Sequence, residues 1–119
     1  QKFVHNKAKD STWSDFRISG FKCRDTTIAD NTQNVAGVQV VRPNGNAIKP
    51  SKHDCDILFN FVMEGKMTLT ASGQSSNELT SGDAFVIPPD LLTEYSNLSE
   101  DLELLEVSLP GKFKTYYDA

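Results

Sequence analysis

The residues best suited to chemistry gather in one short stretch, Ser51-Lys52-His53-Asp54-Cys55-Asp56. It sets an imidazole, a thiol and two carboxylates within six positions. His53 is a candidate proton donor or acceptor, because imidazole changes charge near neutral pH. Alternation along a strand puts Cys55 on the same side as His53. Such a pair could hold zinc or copper if a third donor joined it. Plainer readings stand beside these. Cys55 can be a small buried hydrophobe. Asp54 and Asp56 can be solvated strand-edge carboxylates, one of them paired with Lys49 or Lys52. His53 can be a hydrogen-bonded structural residue. The other histidine, His5, is remote in sequence but could fold over the same mouth. With two histidines in all and nothing resembling a nucleophile elbow, no Ser-His-Asp arrangement can be built.

A second group sits further along. Thr93 and Tyr95 share a strand face, so the Tyr95 hydroxyl can close a pocket from inside, or the ring can serve as an amphipathic rim residue. Glu106 lies in an apolar run with Leu105 and Val107 on its other face. It is either solvent-facing or a pocket carboxylate. Arg42 either points an acidic ligand into a mouth or is a solvated strand-end cation.

The elements that must position these groups are strands. There is no long helical pattern. Turn signals recur at short intervals, at 43–46, 71–74, 81–83, 88–90, 96–97 and 110–111, with short β-branched and aromatic runs between them. That spacing predicts an all-β sandwich or barrel. The expected strands are 16–21, 35–41, 56–63, 67–71, 84–87, 92–95 and 102–109, with 67–71 returning antiparallel from a tight turn at Gly65-Lys66. In 56–63 one parity carries Leu58, Asn60 and Val62 and the other Phe59, Phe61 and Met63. Both sets look buried, so the outer one needs a cover, and a homodimer is expected. Trp13 is expected to pack over the barrel or a partner. Residues 1–12 are polar and expected to form a flexible segment, with 13–119 as one domain.

Composition narrows the function classes. The chain has 119 residues, a net charge of −4, 38% hydrophobic and 24% charged residues, ordinary for a soluble domain. No basic block gives the footprint of a nucleic-acid partner. No apolar run approaches the roughly 18 residues of a membrane span. The first ten residues lack an apolar signal-peptide core, and two cysteines make no disulfide framework. A reducing cytoplasmic setting is expected.

Residues 45–97 resemble the two sequence motifs of the cupin superfamily. Gly45, Ser51, His53, Leu58 and Gly65 stand at the spacing of the first motif, which reads Gly, His, His, Glu, Gly in that family. Gly82, Pro88, Asp90, Thr93 and Asn97 stand at the spacing of the second, which reads Pro, Gly, His and Asn after its first Gly. Sixteen residues separate motif 1 (45–65) from motif 2 (82–97). More loosely, Arg24-Asp25 and 102–110 are similar to a group of small single-domain bacterial cupins, largely of unassigned function. The resemblance implies a double-stranded β-helix, or jelly-roll, barrel.

The resemblance also implies a metal site, and here the chain departs from it. In metal-binding cupins three His and one Glu project into the barrel, a set that suits Fe, Mn, Ni, Cu or Zn. Here Ser51, Leu58 and Thr93 replace two of the His and the Glu, leaving His53. Hydroxyls that stay protonated at neutral pH are weak donors, and Leu58 puts an apolar wall where a carboxylate would balance charge. No cofactor is expected, although a divalent metal (Zn, Fe, Mn, Ni or Cu) on His53 with Cys55 or Thr93 remains a competing reading. The expected function is binding of a small organic molecule by Gln39, Ser51, His53, Leu58, Asn60, Thr93 and Tyr95. His53 and Tyr95 are the candidate acid and base. The alternatives are a metal-dependent dioxygenase, isomerase or lyase with non-standard ligands, and a non-catalytic dimeric sensor or regulatory protein.

Overall fold

The computed structural model describes residues 3–10 and 12–117. Its strands are β1 (Ser14–Asp15), β2 (Phe21–Asp25), β3 (Gly37–Pro43), β4 (Ser51–His53), β5 (Ile57–Glu64), β6 (Lys66–Ala71), β7 (Ser76–Thr80), β8 (Ala84–Val86), β9 (Thr93–Ser96), β10 (Glu103–Leu109) and β11 (Thr115–Tyr117). A one-turn helix, α1 (Ile28–Asn31), and a 3-10 turn at Ala8–Asp10 are the helical pieces among the described residues. The strands form two sheets, in the orders β1-β2-β3-β10-β5-β8 and β11-β4-β9-β6-β7. They face each other as a jelly roll, with the core between them. No helix among the described residues is long and apolar enough to cross a membrane.

The period of two carries the sheet faces. In β5, Leu58, Asn60 and Val62 are buried, while Phe59, Phe61 and Met63 on the other face are half-buried. In β10 the inward set is Leu104, Glu106 and Ser108. Strand register then lines residues up across the first sheet. Gln39 lies opposite Glu106, Glu106 opposite Asn60, and Asn60 opposite Phe85. One polar row therefore crosses the barrel interior. Next to it runs an apolar row, with Val41 opposite Leu104 and Leu104 opposite Val62. Each such fully buried aliphatic side chain stabilises the fold by about 1.5–3 kcal/mol.

Several expectations change. Residues 16–20 are not a strand. They form a loop between β1 and β2, closed by a hydrogen bond from Phe16 N–H to the carbonyl of Phe21, the first residue of β2. Phe16, Ile18 and Phe21 are buried all the same, so their alternation marks burial rather than extended backbone. Nor does 67–71 return against 56–63. β6 lies in the opposite sheet and pairs with β7 and β9, so Gly65 is the corner where the chain crosses between sheets. Strand β7, SNELT, has no apolar pattern because it is an exposed edge. Strand β11, outside the expected strands, is fixed by pairing with β4. Asp90 takes the place of the second motif's glycine at φ 65°, a left-handed geometry that Asp adopts more readily than most residues.

Gly65 has φ 80°, and an added Cβ would lie 2.4 Å from Ser99 Oγ and 2.7 Å from Leu102 Cα. Gly65→Ala is expected to cost at least about 1–2 kcal/mol from the backbone alone. A melting temperature equal to that of the parent protein would contradict this account of the corner.

Candidate functional site

Two layers of inward side chains could carry function. The first is the position where the family places its metal. Ser51 on β4 and Thr93 on β9 are register partners, His53 ends β4, and Leu58 faces them from β5. All four are buried. Thr93 Oγ1 donates to the Ser51 carbonyl at 3.4 Å. His53 Nδ1 accepts the Cys55 N–H at 3.0 Å, and Nε2 lies 2.8 Å from the Ile87 carbonyl. Nδ1 accepts, so the proton sits on Nε2 and is donated to Ile87. Both ring nitrogens are thus committed to holding the 53–55 loop and the β8 end together. The candidate His53/Cys55 side-chain pair does not form. Cys55 meets His53 through its backbone, while its Sγ turns to the carbonyls of Ile57 (2.9 Å) and Leu109 (3.1 Å). Burial pushes the Cys55 thiol above its usual value, which keeps it protonated. Asp54 accepts the Lys114 N–H at 2.8 Å and is not paired with Lys49 or Lys52. Among the described residues no cluster of three or more His, Cys, Asp or Glu is assembled. A neutral donor imidazole, two hydroxyls and a leucine do not fit a transition metal.

The second layer is the polar row. Glu106 points inward and is 4% exposed, which settles its orientation. Its partner is Arg17, from the 16–20 loop. Arg17 Nη2 lies 2.6 Å from Oε1 and Nε 3.3 Å from Oε2, the bidentate fork that a guanidinium suits. Arg17 Nη1 also donates to Thr115 Oγ1 at 3.2 Å, and its guanidinium stacks on Phe16 and Phe113. Burial disfavours the Arg17 charge, but Glu106 outweighs it and raises its pKa. Tyr117 clamps the loop, its hydroxyl donating to the Arg17 carbonyl at 2.6 Å and accepting the Ser19 N–H at 3.0 Å. Arg17 therefore ties the loop before β2 to β10 in one sheet and β11 in the other.

Tyr95 and Asn60 complete this layer. Tyr95 is 3% exposed and Asn60 1%, yet the Tyr95 hydroxyl and the Asn60 Nδ2 have no hydrogen-bond partner. Arg17 lies close enough to the Tyr95 oxygen for a weak side-chain interaction as well as its charge to favour the ionised phenol, and Glu106 opposes it; no hydrogen bond of ordinary geometry forms, and the O–H proton has no acceptor. The ring meets Phe21 and Phe85 edge-on. An orphaned polar group in a sealed interior costs about 1–3 kcal/mol, so two that both neighbour Phe85 need a reason. Gln39, half-buried, lines a small cleft of about 80 Å³ with Glu106, Ser108 and Phe113.

Burial raises the Tyr95 phenol well above its ordinary value. The unfolded phenol ionises near pH 10 while the folded one stays neutral. The neutral form is thus favoured by folding, and stability is lost as pH rises through that range. Urea midpoints between pH 8 and 11 should fall more steeply for the parent protein than for Tyr95→Phe. Parallel slopes would count against a sealed Tyr95.

The structure brings Ser51, His53, Leu58, Asn60, Thr93 and Tyr95 to the interior, but splits them between the two layers. Sequence reasoning missed Arg17, which lies in a segment read as an apolar strand. The available signal was two unmatched opposite charges, Arg17 between Phe16 and Ile18 and Glu106 between Leu105 and Val107. Arg42 is a strand-end cation after all, paired with Glu103 at 2.6 Å and stacked on Trp13.

With this geometry in hand, the comparisons place the chain among known proteins. The family model described as the cupin domain matches residues 37–108. The fold resembles KdgF from Halomonas sp. at TM-score 0.72 and 17% identity, covering 90% of this chain and 94% of that one. It resembles Pac13, described as a unique nucleoside dehydratase, at TM-score 0.77 and 13% identity, covering 98% and 92%. The polyketide cyclase RemF from Streptomyces resistomycificus matches at TM-score 0.74 and 19% identity, covering 100% and 86%. No curated protein matches the chain significantly.

Proposed function

This chain belongs to the cupin family, and from that premise we propose that it binds a small organic molecule inside its barrel, at the polar layer, without the family's metal. The observation that carries the proposal is the pair of orphaned groups, Asn60 Nδ2 and Tyr95 Oη, beside the matched Arg17–Glu106 pair. A ligand oxygen placed between them would satisfy both. Sites of this kind, mostly apolar with a few convergent polar groups, are the usual small-molecule pockets. His53 takes a structural role in this reading, because neither of its nitrogens is free. Tyr95 is then the proton-transferring group the layer would offer to a reaction, both Glu106 oxygens being held by Arg17. Uridine-bound forms are among the structures of the Pac13 relative, and uridine is therefore the first compound to try. A thermal-shift screen of small metabolites on the parent protein and Tyr95→Phe tests the proposal. A compound that raises the melting temperature of the parent but not of Tyr95→Phe supports it. No shift by any compound, or equal shifts in both proteins, overturns it.

The outer face of the first sheet supports the homodimer reading. Phe59, Phe61, Met63, Leu105 and Val107 remain half-buried there, and Ile57 and Val86 are 50% and 61% exposed. Light scattering should give twice the 13.2 kDa chain mass, and a monomer mass would remove this reading.

A further inference from the structure

The barrel has a second side. Arg17 and the 16–20 loop bridge the sheets on the side of the edge strands β1 and β11; on the opposite side, between the edge strands β7 and β8, the barrel opens into a cleft of about 400 Å³. Its walls include Leu69, Leu79, Phe85, Ile87 and Pro88, with Thr93 also lining it. The volume falls within the range of roughly 300–1,000 Å³ typical of small-molecule sites. Phe85 is the wall between this cleft and the polar layer: it lines the cleft, is the register partner of Asn60 and meets the Tyr95 ring edge-on at 6.3 Å, so a turn of its side chain would join the two.

Charge then selects the ligand. Glu78 is the one ionisable residue lining the cleft, and it is solvent-exposed. It repels anions and is too well hydrated to hold a buried cation. In the polar layer behind Phe85, the Arg17 charge is already matched by Glu106. Neither sign of charge finds an unpaired buried counterion, and desolvating an unpaired charge is costly. What remains unmet is hydrogen bonding, two N–H donors on Asn60 Nδ2 and the Tyr95 hydroxyl. We infer that the β7/β8 cleft is the ligand's way in and seats an uncharged ring-shaped molecule, whose carbonyl or hydroxyl oxygen meets Asn60 and Tyr95. This rests on the barrel-binding reading above and adds the route and the chemical class.

Three isosteric probes test it by NMR on the full chain: 2-naphthol, 2-naphthoate and 2-naphthylmethylammonium. The inference expects 2-naphthol to bind at least tenfold more tightly than either ion, with intermolecular NOEs to Leu69, Leu79 and Phe85 and a shifted Asn60 side-chain amide. An ion that binds as tightly as the neutral probe overturns the class. NOEs to Phe16 or Phe113 overturn the route, because the probe would have entered past Arg17. Both results leave barrel binding standing. NOEs in the cleft with an unmoved Asn60 amide sever the cleft from the polar layer, which overturns this inference and weakens the barrel reading too. Absence of binding by all three probes overturns the inference, while the metabolite screen still decides the barrel reading.

Discussion

Replacing Arg17 with methionine is expected to destabilise the barrel by about 3–5 kcal/mol, the cost of leaving one member of a buried ion pair uncompensated. The loss is large because Glu106 has nowhere else to turn. It is 4% exposed, it sits mid-strand between two hydrogen-bonded neighbours, and Arg17 donates to both of its carboxylate oxygens. Against a total stability of about 5–15 kcal/mol, such a loss brings the fold near its threshold. The double replacement Arg17→Met with Glu106→Leu removes both charges, and buried pairs exchanged for apolar residues are often neutral or stabilising. Urea denaturation of the two single variants and the double should therefore show strong coupling, with the double well above Arg17→Met. A single variant within about 1 kcal/mol of the parent, the range of an exposed pair, would mean that Arg17 lies outside the barrel in solution.

Tyr95→Phe is expected to do the opposite to stability while removing function. It deletes one oxygen and keeps the ring, so the edge contacts with Phe21 and Phe85 survive. The deleted oxygen is the orphan, and relieving it should stabilise the ligand-free protein by about 1–3 kcal/mol. Any ligand that raises the parent's melting temperature should lose roughly two- to thirteenfold in affinity, since a charge-free hydrogen bond is worth about 0.5–1.5 kcal/mol. A more stable protein that binds less is the mark of a polar group kept for function. If Tyr95→Phe is clearly less stable than the parent without ligand, the hydroxyl has a structural partner and the site reading loses its support.

The sequence made the fold legible because its landmarks are backbone demands. Gly65 and Gly82 occupy positive φ, Asp90 accepts the same geometry at a glycine position, and the alternation of 56–63 gave the correct inward set of Leu58, Asn60 and Val62. Parity also placed Gln39, Thr93 and Tyr95 on inward faces. What parity could not show is which sheet a strand joins, and so β6 was set against the wrong neighbour. Nor could it show what enters from a loop. Arg17 reaches Glu106 across 89 positions of sequence, and no local pattern encodes that meeting. The proximity of His53 and Cys55 in the chain misled in the other direction, because β4 ends at His53 and alternation stops there.

The most direct test is a crystal structure at high resolution, with anomalous data, of protein purified without chelator and soaked with the best compound from the metabolite screen. The account predicts ligand density within hydrogen-bonding distance of Asn60 Nδ2 and Tyr95 Oη, and His53 still bonded to Ile87 with no anomalous peak beside it. A strong anomalous peak coordinated by His53, Ser51 or Thr93 would contradict it and return the chain to the metal-dependent members of its family.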